Sequence, residues 1–191
     1  MKRVLIAAAL LVAISAQAQK KQSWPKEPDA VFGVAIGQVL ENDRISECGG
    51  VKVEAEKNPI SVCAMSRPGY GGISIAGFPV PGFDGGFIQR DDGVVTSILL
   101  SGKQSAYRDI KALLIERYGK PTTAKTERLQ NKMGATFTSE VLFWSGQSVS
   151  LTLQERSGTV DETTAFFTSV AHARKKAQDR ENDIKGSASK M

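Results

Sequence analysis

The stretch Ser105-Ala-Tyr-Arg-Asp-Ile-Lys-Ala-Leu-Leu-Ile-Glu-Arg-Tyr-Gly-Lys-Pro-Thr122 decides the fold of this chain. Its apolar side chains recur at helical spacing and form one stripe, at Tyr107, Ile110, Leu113, Leu114 and Tyr118. Ser105 is the expected N-cap, Gly119 the expected left-handed residue after the last turn, and Pro121 forbids continuation. We therefore predict a helix of about three turns that packs its apolar face on a sheet. Leu114 is expected on the buried face and Lys111 on the opposite one.

Alternating segments on both sides of this helix supply the sheet. Residues 87–90 and 94–100 flank Asp91-Asp92-Gly93, which is a hairpin signal. Residues 135–144, 148–155 and 163–170 predict three more antiparallel strands, whereas residues 120–132 are polar and predict an irregular stretch. The predicted fold class is α+β, an antiparallel sheet of about six strands with one main helix on one face and one disulfide.

The N-terminus has the three parts of a secretory signal peptide. Lys2 and Arg3 form a basic region, residues 4–14 are apolar, and Ala16-Gln17-Ala18 is a small-x-small cleavage site. The apolar part is shorter than the roughly 20 residues that span a membrane, and no cysteine follows the cleavage site to carry a lipid anchor. We expect a periplasmic or secreted protein.

Residues 19–28 are predicted to be a flexible leader, residues 29–170 a single α+β domain, and residues 171–191 a charged, partly disordered tail. Removal of residues 1–18 lowers the formal net charge from +5 to +3. A charge this small and dispersed does not favour nucleic acid as a partner.

The two cysteines, Cys48 and Cys63, predict a disulfide, because exported proteins usually pair their cysteines. Closing a loop of this length stabilises by about 3 kcal/mol in the chain-entropy model. A redox pair would favour Cys-x-x-Cys spacing, whereas fourteen residues separate these two.

Residues 67–86 hold seven of the eighteen glycines, three prolines and the aromatic residues Tyr70, Phe78 and Phe83. One interpretation is a loop that presents these rings as a partner-binding surface. The alternative is that residues 73–75 form a short strand and that the rings pack on the core.

The sequence offers no catalytic motif and predicts no catalytic, cofactor-binding or metal-binding residue. His172 is the only histidine, which excludes sites built from several histidines. Residues 72–76, Gly-Ile-Ser-Ile-Ala, lie one residue away from a nucleophile elbow, but Gly77-Phe-Pro replaces the helix that such a site requires.

The run Leu113-Leu-Ile-Glu-Arg-Tyr-Gly-Lys-Pro-Thr, followed by strands that carry Trp144 and Val149, resembles small exported bacterial α+β proteins of unassigned function. The layout is also similar to the helix-on-sheet folds of the β-lactamase-inhibitor type and of small outer-membrane-assembly lipoproteins. The resemblance spans residues 32–170 and is structural. It implies an antiparallel sheet under one helix and transfers no functional residue.

Three function hypotheses follow. The first is an exported, non-enzymatic binding or interaction module; the sequence does not identify its partner, and another envelope protein is one candidate. The second is an inhibitor or immunity protein that blocks an envelope enzyme with the loop at residues 67–86. The third is a hydrolase that uses a pair of carboxylates brought together by the fold.

Overall fold

A computed structural model describes residues 24–40, 46–47, 61–64, 72–76 and 80–190. A 3₁₀ turn, Gln104–Ala106, precedes the first helix. In chain order the elements of the described residues are β1 (Ala30–Val31), β2 (Val34–Ala35), β3 (Ser46–Glu47), β4 (Ser61–Ala64), β5 (Gly72–Ala76), β6 (Phe83–Asp91), β7 (Val94–Lys103), α1 (Tyr107–Tyr118), β8 (Thr123–Gln130), β9 (Thr136–Ser145), β10 (Val149–Gln154), β11 (Glu162–Ser169) and α2 (Val170–Ala188).

One sheet organises the molecule, with the strand order β3-β4-β5-β6-β7-β11-β10-β9-β8. Among the strand pairs that the structure describes, only the short β3–β4 pair is parallel. The seven strands from β5 to β8 in this order are antiparallel throughout. The α+β class and the antiparallel sheet are confirmed, whereas the predicted count of about six strands is too low and α2 is a second helix.

The prediction missed β8, which lies in the polar stretch at residues 120–132. β8 pairs with β9 over its whole length, yet most of its side chains are exposed. It is one of the two edge strands of the described sheet, and charged side chains on an edge discourage pairing with another chain. Such a strand has no apolar alternation that a sequence reading could detect.

The core lies on one face of the sheet. Residues that are directly paired on neighbouring strands have side chains on the same face of the sheet. On the core face, one row of such paired residues runs across six strands. None of its side chains is more than 2% exposed. The row runs Trp144, Leu151, Phe167, Ile98, Ile88, Ile73.

Helix α1 packs on this face through Tyr107, Ile110 and Leu114, as predicted. The prediction for Lys111 was wrong, because residues three apart lie on neighbouring positions of one helix face. Lys111 lies three residues before Leu114, and its ammonium group is 2.6 Å from the Glu140 carboxylate on β9.

The sequence predicted where α1 ends correctly, but its predicted N-cap was wrong. Ser105 lies inside the 3₁₀ turn and is not the N-cap; Ala106 takes that position without a side-chain hydrogen bond. The residue after α1, Gly119, has a φ of 79°, and its N–H donates to the Ile115 carbonyl at 2.8 Å. Its ψ of −178° puts Gly119 outside the predicted left-handed helical conformation, in a region that is open essentially to glycine alone. The predicted stop at Gly119 is confirmed.

The described part of the predicted flexible leader is attached to the end of α1. Trp24 is only 4% exposed. Its indole N–H donates to the Tyr118 carbonyl at 2.6 Å, and Lys26 Nζ donates to the Glu116 carbonyl at 3.1 Å. The Trp144 indole N–H donates to the Gly119 carbonyl at 2.8 Å. Three carbonyls that a helix end leaves without a partner are thereby satisfied.

Glu27 attaches the same segment to the turn between β9 and β10. Its carboxylate accepts the N–H groups of Gln147, Ser148 and Val149 at 2.7, 2.6 and 2.6 Å, at the turn between β9 and β10. A carboxylate that accepts three backbone donors holds a turn firmly. Residues 24–28 are therefore part of the fold.

Residues 171–191 were predicted to be a charged, partly disordered tail. In the structure, Val170–Ala188 forms the helix α2. The Ser169 hydroxyl accepts the His172 N–H at its start. Ion pairs four residues apart, Lys175 with Asp179 and Glu181 with Lys185, support its exposed length. A charged composition thus forms a helix here because the charges alternate at helical spacing.

Candidate ligand-binding pocket

A pocket of about 870 Å³ lies between the C-terminal half of α1 and the β1–β2 hairpin. Leu100 of β7 and Phe167 of β11 form its floor, and residues Val80 and Phe83 close one side. Ligand sites in proteins have volumes of roughly 300–1,000 Å³. The space is therefore large enough for a small organic ligand.

The hairpin forms its wall through an unusual two-residue turn. Phe32 and Gly33 both have positive φ, 49° and 72°, which is the geometry of a type I′ turn. A phenylalanine in this conformation is uncommon. The turn places Phe32 at the pocket, next to Val31, which is buried.

The interior of the pocket is apolar. Its described lining includes four aromatic rings and several aliphatic side chains, many of them nearly inaccessible to solvent. The Tyr118 and Phe167 rings meet edge to face, with centroids 5.6 Å apart. The lining residues of this kind are Val31, Phe32, Val80, Phe83, Leu100, Leu113, Leu114, Tyr118 and Phe167.

Charged side chains surround the mouth. Lys26, Glu116 and Arg117 line the pocket and are exposed, so their charged groups lie where the pocket meets solvent. Burial raises the pKa of the Tyr118 hydroxyl, and the neighbouring Arg117 guanidinium opposes that rise. Tyr118 thus stays a neutral hydroxyl on the border between the apolar interior and the charged mouth.

Of the three rings that were candidates for partner binding, the described residues include only Phe83. Phe83 begins β6 and is 7% exposed, and it lines this pocket. Tyr70 and Phe78 lie outside the described residues. The segment at residues 67–86 contains a strand, β5, whose residues Gly72–Ser74 pair with β6. Phe83 therefore packs on the core, as the alternative interpretation predicts for that ring.

The predicted disulfide falls outside the described side chains. Cys48 is not among the described residues, and only the backbone of Cys63 is described, in β4. The parallel pairing of Ser46 with Cys63 brings the two segments side by side.

A polar cluster connects α1 to β9. The Tyr107 hydroxyl donates to a Glu140 carboxylate oxygen at 2.7 Å, and Lys111 Nζ donates to both oxygens at 2.9 and 2.6 Å. These hydrogen bonds, from Lys111 and then Tyr107, hold the pKa of Glu140 below its ordinary value. Burial and then the Glu140 carboxylate raise the pKa of Tyr107.

The nearby Glu155 carboxylate is also occupied. It accepts the Gln104 amide at 3.0 Å and the Glu140 backbone N–H at 2.9 Å. The two carboxylates of this cluster therefore serve to join α1 to the sheet, since every oxygen named has a donor from the protein itself.

The opposite face of the sheet carries a second paired row, which is only partly covered. Phe143, Thr152, Phe166, Leu99 and Phe87 follow one another across five strands. The Phe143 and Phe166 side chains are each 37% exposed. Helix α2 lies over part of this face and encloses a depression of about 730 Å³. It is lined by Phe166 and two alanines of α2 together with polar and charged side chains.

Two further observations apply to the described residues alone. They contain no group of three or more His, Cys, Asp or Glu side chains arranged to hold a metal ion. Neither of the two helices described is long and apolar enough to cross a membrane.

Comparisons of the chain with protein-family models, with curated proteins and with solved structures find no match.

Sequence reasoning missed the pocket because five separate segments build it. Trp24 carried the available signal, since an isolated tryptophan in a polar segment needs a place to bury its ring. That signal predicts that residues 24–28 pack on the core, without indicating which element they contact.

Proposed function

We propose that this protein is an exported, non-enzymatic binding module that holds an apolar ligand in the pocket between α1 and the β1–β2 hairpin. The observation that carries the proposal is the pocket itself, about 870 Å³ in volume, with an interior of aromatic and aliphatic side chains. A ligand gains free energy by displacing water from the part of this apolar lining that is exposed.

The packing of the surrounding elements supports a permanent pocket. The indole N–H groups of Trp24 and Trp144 donate hydrogen bonds to carbonyls at the end of α1. The turn at Phe32 and Gly33 fixes the backbone of the β1–β2 hairpin, which forms one wall. A wall held in place before binding reduces the ordering cost that a ligand has to overcome.

Export is part of the proposal, and it is supported by the signal-peptide pattern at residues 1–18. A disulfide between Cys48 and Cys63 is proposed with it, supported by the pairing of β3 with β4. Intact mass of periplasmic protein should show the loss of residues 1–18 and of two further hydrogens. Titration of two free thiols in the denatured protein would refute the disulfide.

The test of binding uses the neutral dye N-phenyl-1-naphthylamine, whose fluorescence rises in apolar surroundings, and protein purified from the periplasm of an expression host. We expect saturable binding at one site. Leu113→Trp places a larger ring in the pocket wall and should abolish the fluorescence increase. Ala112→Trp introduces the same ring at an exposed position of the same helix and should leave binding unchanged.

Thermal melts of both variants show whether each is folded. A wild-type protein that gives no saturable signal would contradict the proposed function. Equal binding by the folded Leu113 and Ala112 variants would place the dye elsewhere and contradict the proposed site.

A further inference from the structure

We propose that the natural ligand of this pocket is a single-chain amphiphile with an anionic head group, such as a medium- or long-chain alkyl carboxylate. Its chain lies among the apolar rings, and its head group lies at the mouth beside Lys26 and Arg117. This inference rests on the proposed function and adds the chemical class of the ligand.

The first step concerns where a charge can be placed. No charged side chain of the described lining lies in the interior, and a charged group buried without a partner is strongly disfavoured. The charged residues at the mouth are all exposed. A ligand that fills the pocket with its apolar part therefore leaves any charged part at the mouth.

The second step concerns the sign of that charge. Lys26 and Arg117 supply two positive charges at the mouth, and Glu116 supplies one negative charge. A helix C-terminus by itself favours cations. Here the carbonyls of Glu116, Tyr118 and Gly119 already accept hydrogen bonds from side chains. The positive side chains are therefore the stronger influence on a head group.

The third step concerns the donors that remain. An ammonium group has three N–H donors, and Lys26 uses one of them for the Glu116 carbonyl. That bond holds the lysine at the mouth and leaves two donors for a carboxylate. Charge-assisted hydrogen bonds of this kind are stronger than neutral ones.

Isothermal titration with three ligands of equal chain length, decanoate, decan-1-ol and decyltrimethylammonium, tests the inference. We expect decanoate to bind most tightly and the cation least tightly. Affinity should rise about fourfold for each methylene from octanoate to decanoate, which is the gain expected for a fully buried methylene.

Single substitutions at the mouth should change decanoate affinity with opposite signs. Lys26→Gln and Arg117→Gln should each weaken binding about two- to fivefold, as expected for exposed charges. Glu116→Gln should strengthen it, and Lys132→Gln, in the β8–β9 turn outside the pocket, should not change it. Decan-1-ol affinity should stay constant in the Lys132→Gln control, and in the three mouth variants it should change less than decanoate affinity does.

Three results would overturn the inference. Equal affinity for decanoate and decan-1-ol would show that the head group is not recognised. Tighter binding of the cation, with the effects of the substitutions reversed, would assign the mouth to a positive head group. Binding to phosphatidylglycerol vesicles that decanoate does not compete with would assign the charge to a membrane surface.

Failure of the proposed function gives a different result. In that case neither decan-1-ol nor decanoate binds, and the neutral dye also gives no signal. Binding of decan-1-ol without preference for decanoate preserves the function and removes only the inferred head group.

Discussion

Substitution of Trp24 should destabilise the whole domain, because this side chain joins the N-terminal segment to α1 and to the sheet. The ring is 4% exposed and contacts Tyr118 edge to face, with centroids 6.0 Å apart. It also lies 6.5 Å from the Trp144 ring. Truncation of a buried tryptophan to alanine typically costs about 3–5 kcal/mol.

A graded series separates the ring from its hydrogen bond. Trp24→Phe keeps an aromatic ring and removes the N–H that donates to the Tyr118 carbonyl at 2.6 Å. A partly buried carbonyl left without its donor costs about 1–3 kcal/mol. We therefore expect the phenylalanine variant to fall between the wild type and Trp24→Ala in free energy of unfolding.

Urea unfolding followed by far-UV circular dichroism measures these differences. Asp29→Ala, an exposed position in the same segment, is the control and should change stability by less than about 0.5 kcal/mol. If Trp24→Ala also changed stability by less than about 0.5 kcal/mol, residues 24–28 would be a flexible leader after all, and the account of the helix end would be refuted.

Three further perturbations have defined outcomes in the same assay. Leu114→Ala should cost about 2–5 kcal/mol, since the side chain is 2% exposed; exposed Ala112→Ser should cost little, and equal losses would contradict the assigned face. Glu27→Ala should cost about 1–3 kcal/mol, because three turn N–H groups lose their acceptor; an unchanged midpoint would refute this. The lowered pKa of Glu140 contributes stability that is present above its ordinary pKa of 4.5 and is lost as the pH falls below it. Glu140→Gln should flatten this acid dependence, and a melt series with an unchanged pH profile would refute it.

Local patterns were the part of the fold that the sequence predicted well. The stripe from Tyr107 to Tyr118 and the stop at Gly119 depend on neighbours within a few residues, so they can be read without knowing the fold. The hairpin around Asp92 is of the same kind, since Asp92 and Gly93 both adopt the positive φ that its turn requires.

Distant pairings explain the errors. Trp24 and Tyr118 are 94 residues apart, and nothing near Trp24 indicates its partner. β8 is stabilised by pairing with β9 rather than by its own apolar pattern. Lys111 was a failure of a different kind, because its spacing from Leu114 already places both on one side of α1.

The pocket could not be predicted for the same reason that the partner of Trp24 could not, since both depend on contacts between residues far apart in the sequence. Its walls come from the β1–β2 hairpin, β6, β7, α1 and β11, and only the tertiary arrangement brings them together. Phe83 was identified as a candidate, with an exposed partner-binding ring and a ring packed on the core as the two interpretations. In the structure it is a buried part of the pocket wall.

The most direct test of the central claim is to locate a bound apolar chain by NMR. Protein with labelled methyl groups is saturated with decan-1-ol, and intermolecular nuclear Overhauser effects are recorded. If decan-1-ol binds in the pocket, we expect contacts from its alkyl chain to the methyl groups of Val31, Leu113 and Leu114. Contacts confined to Leu99 and Val141, on the opposite side of the sheet, or no contacts at saturation, would contradict it.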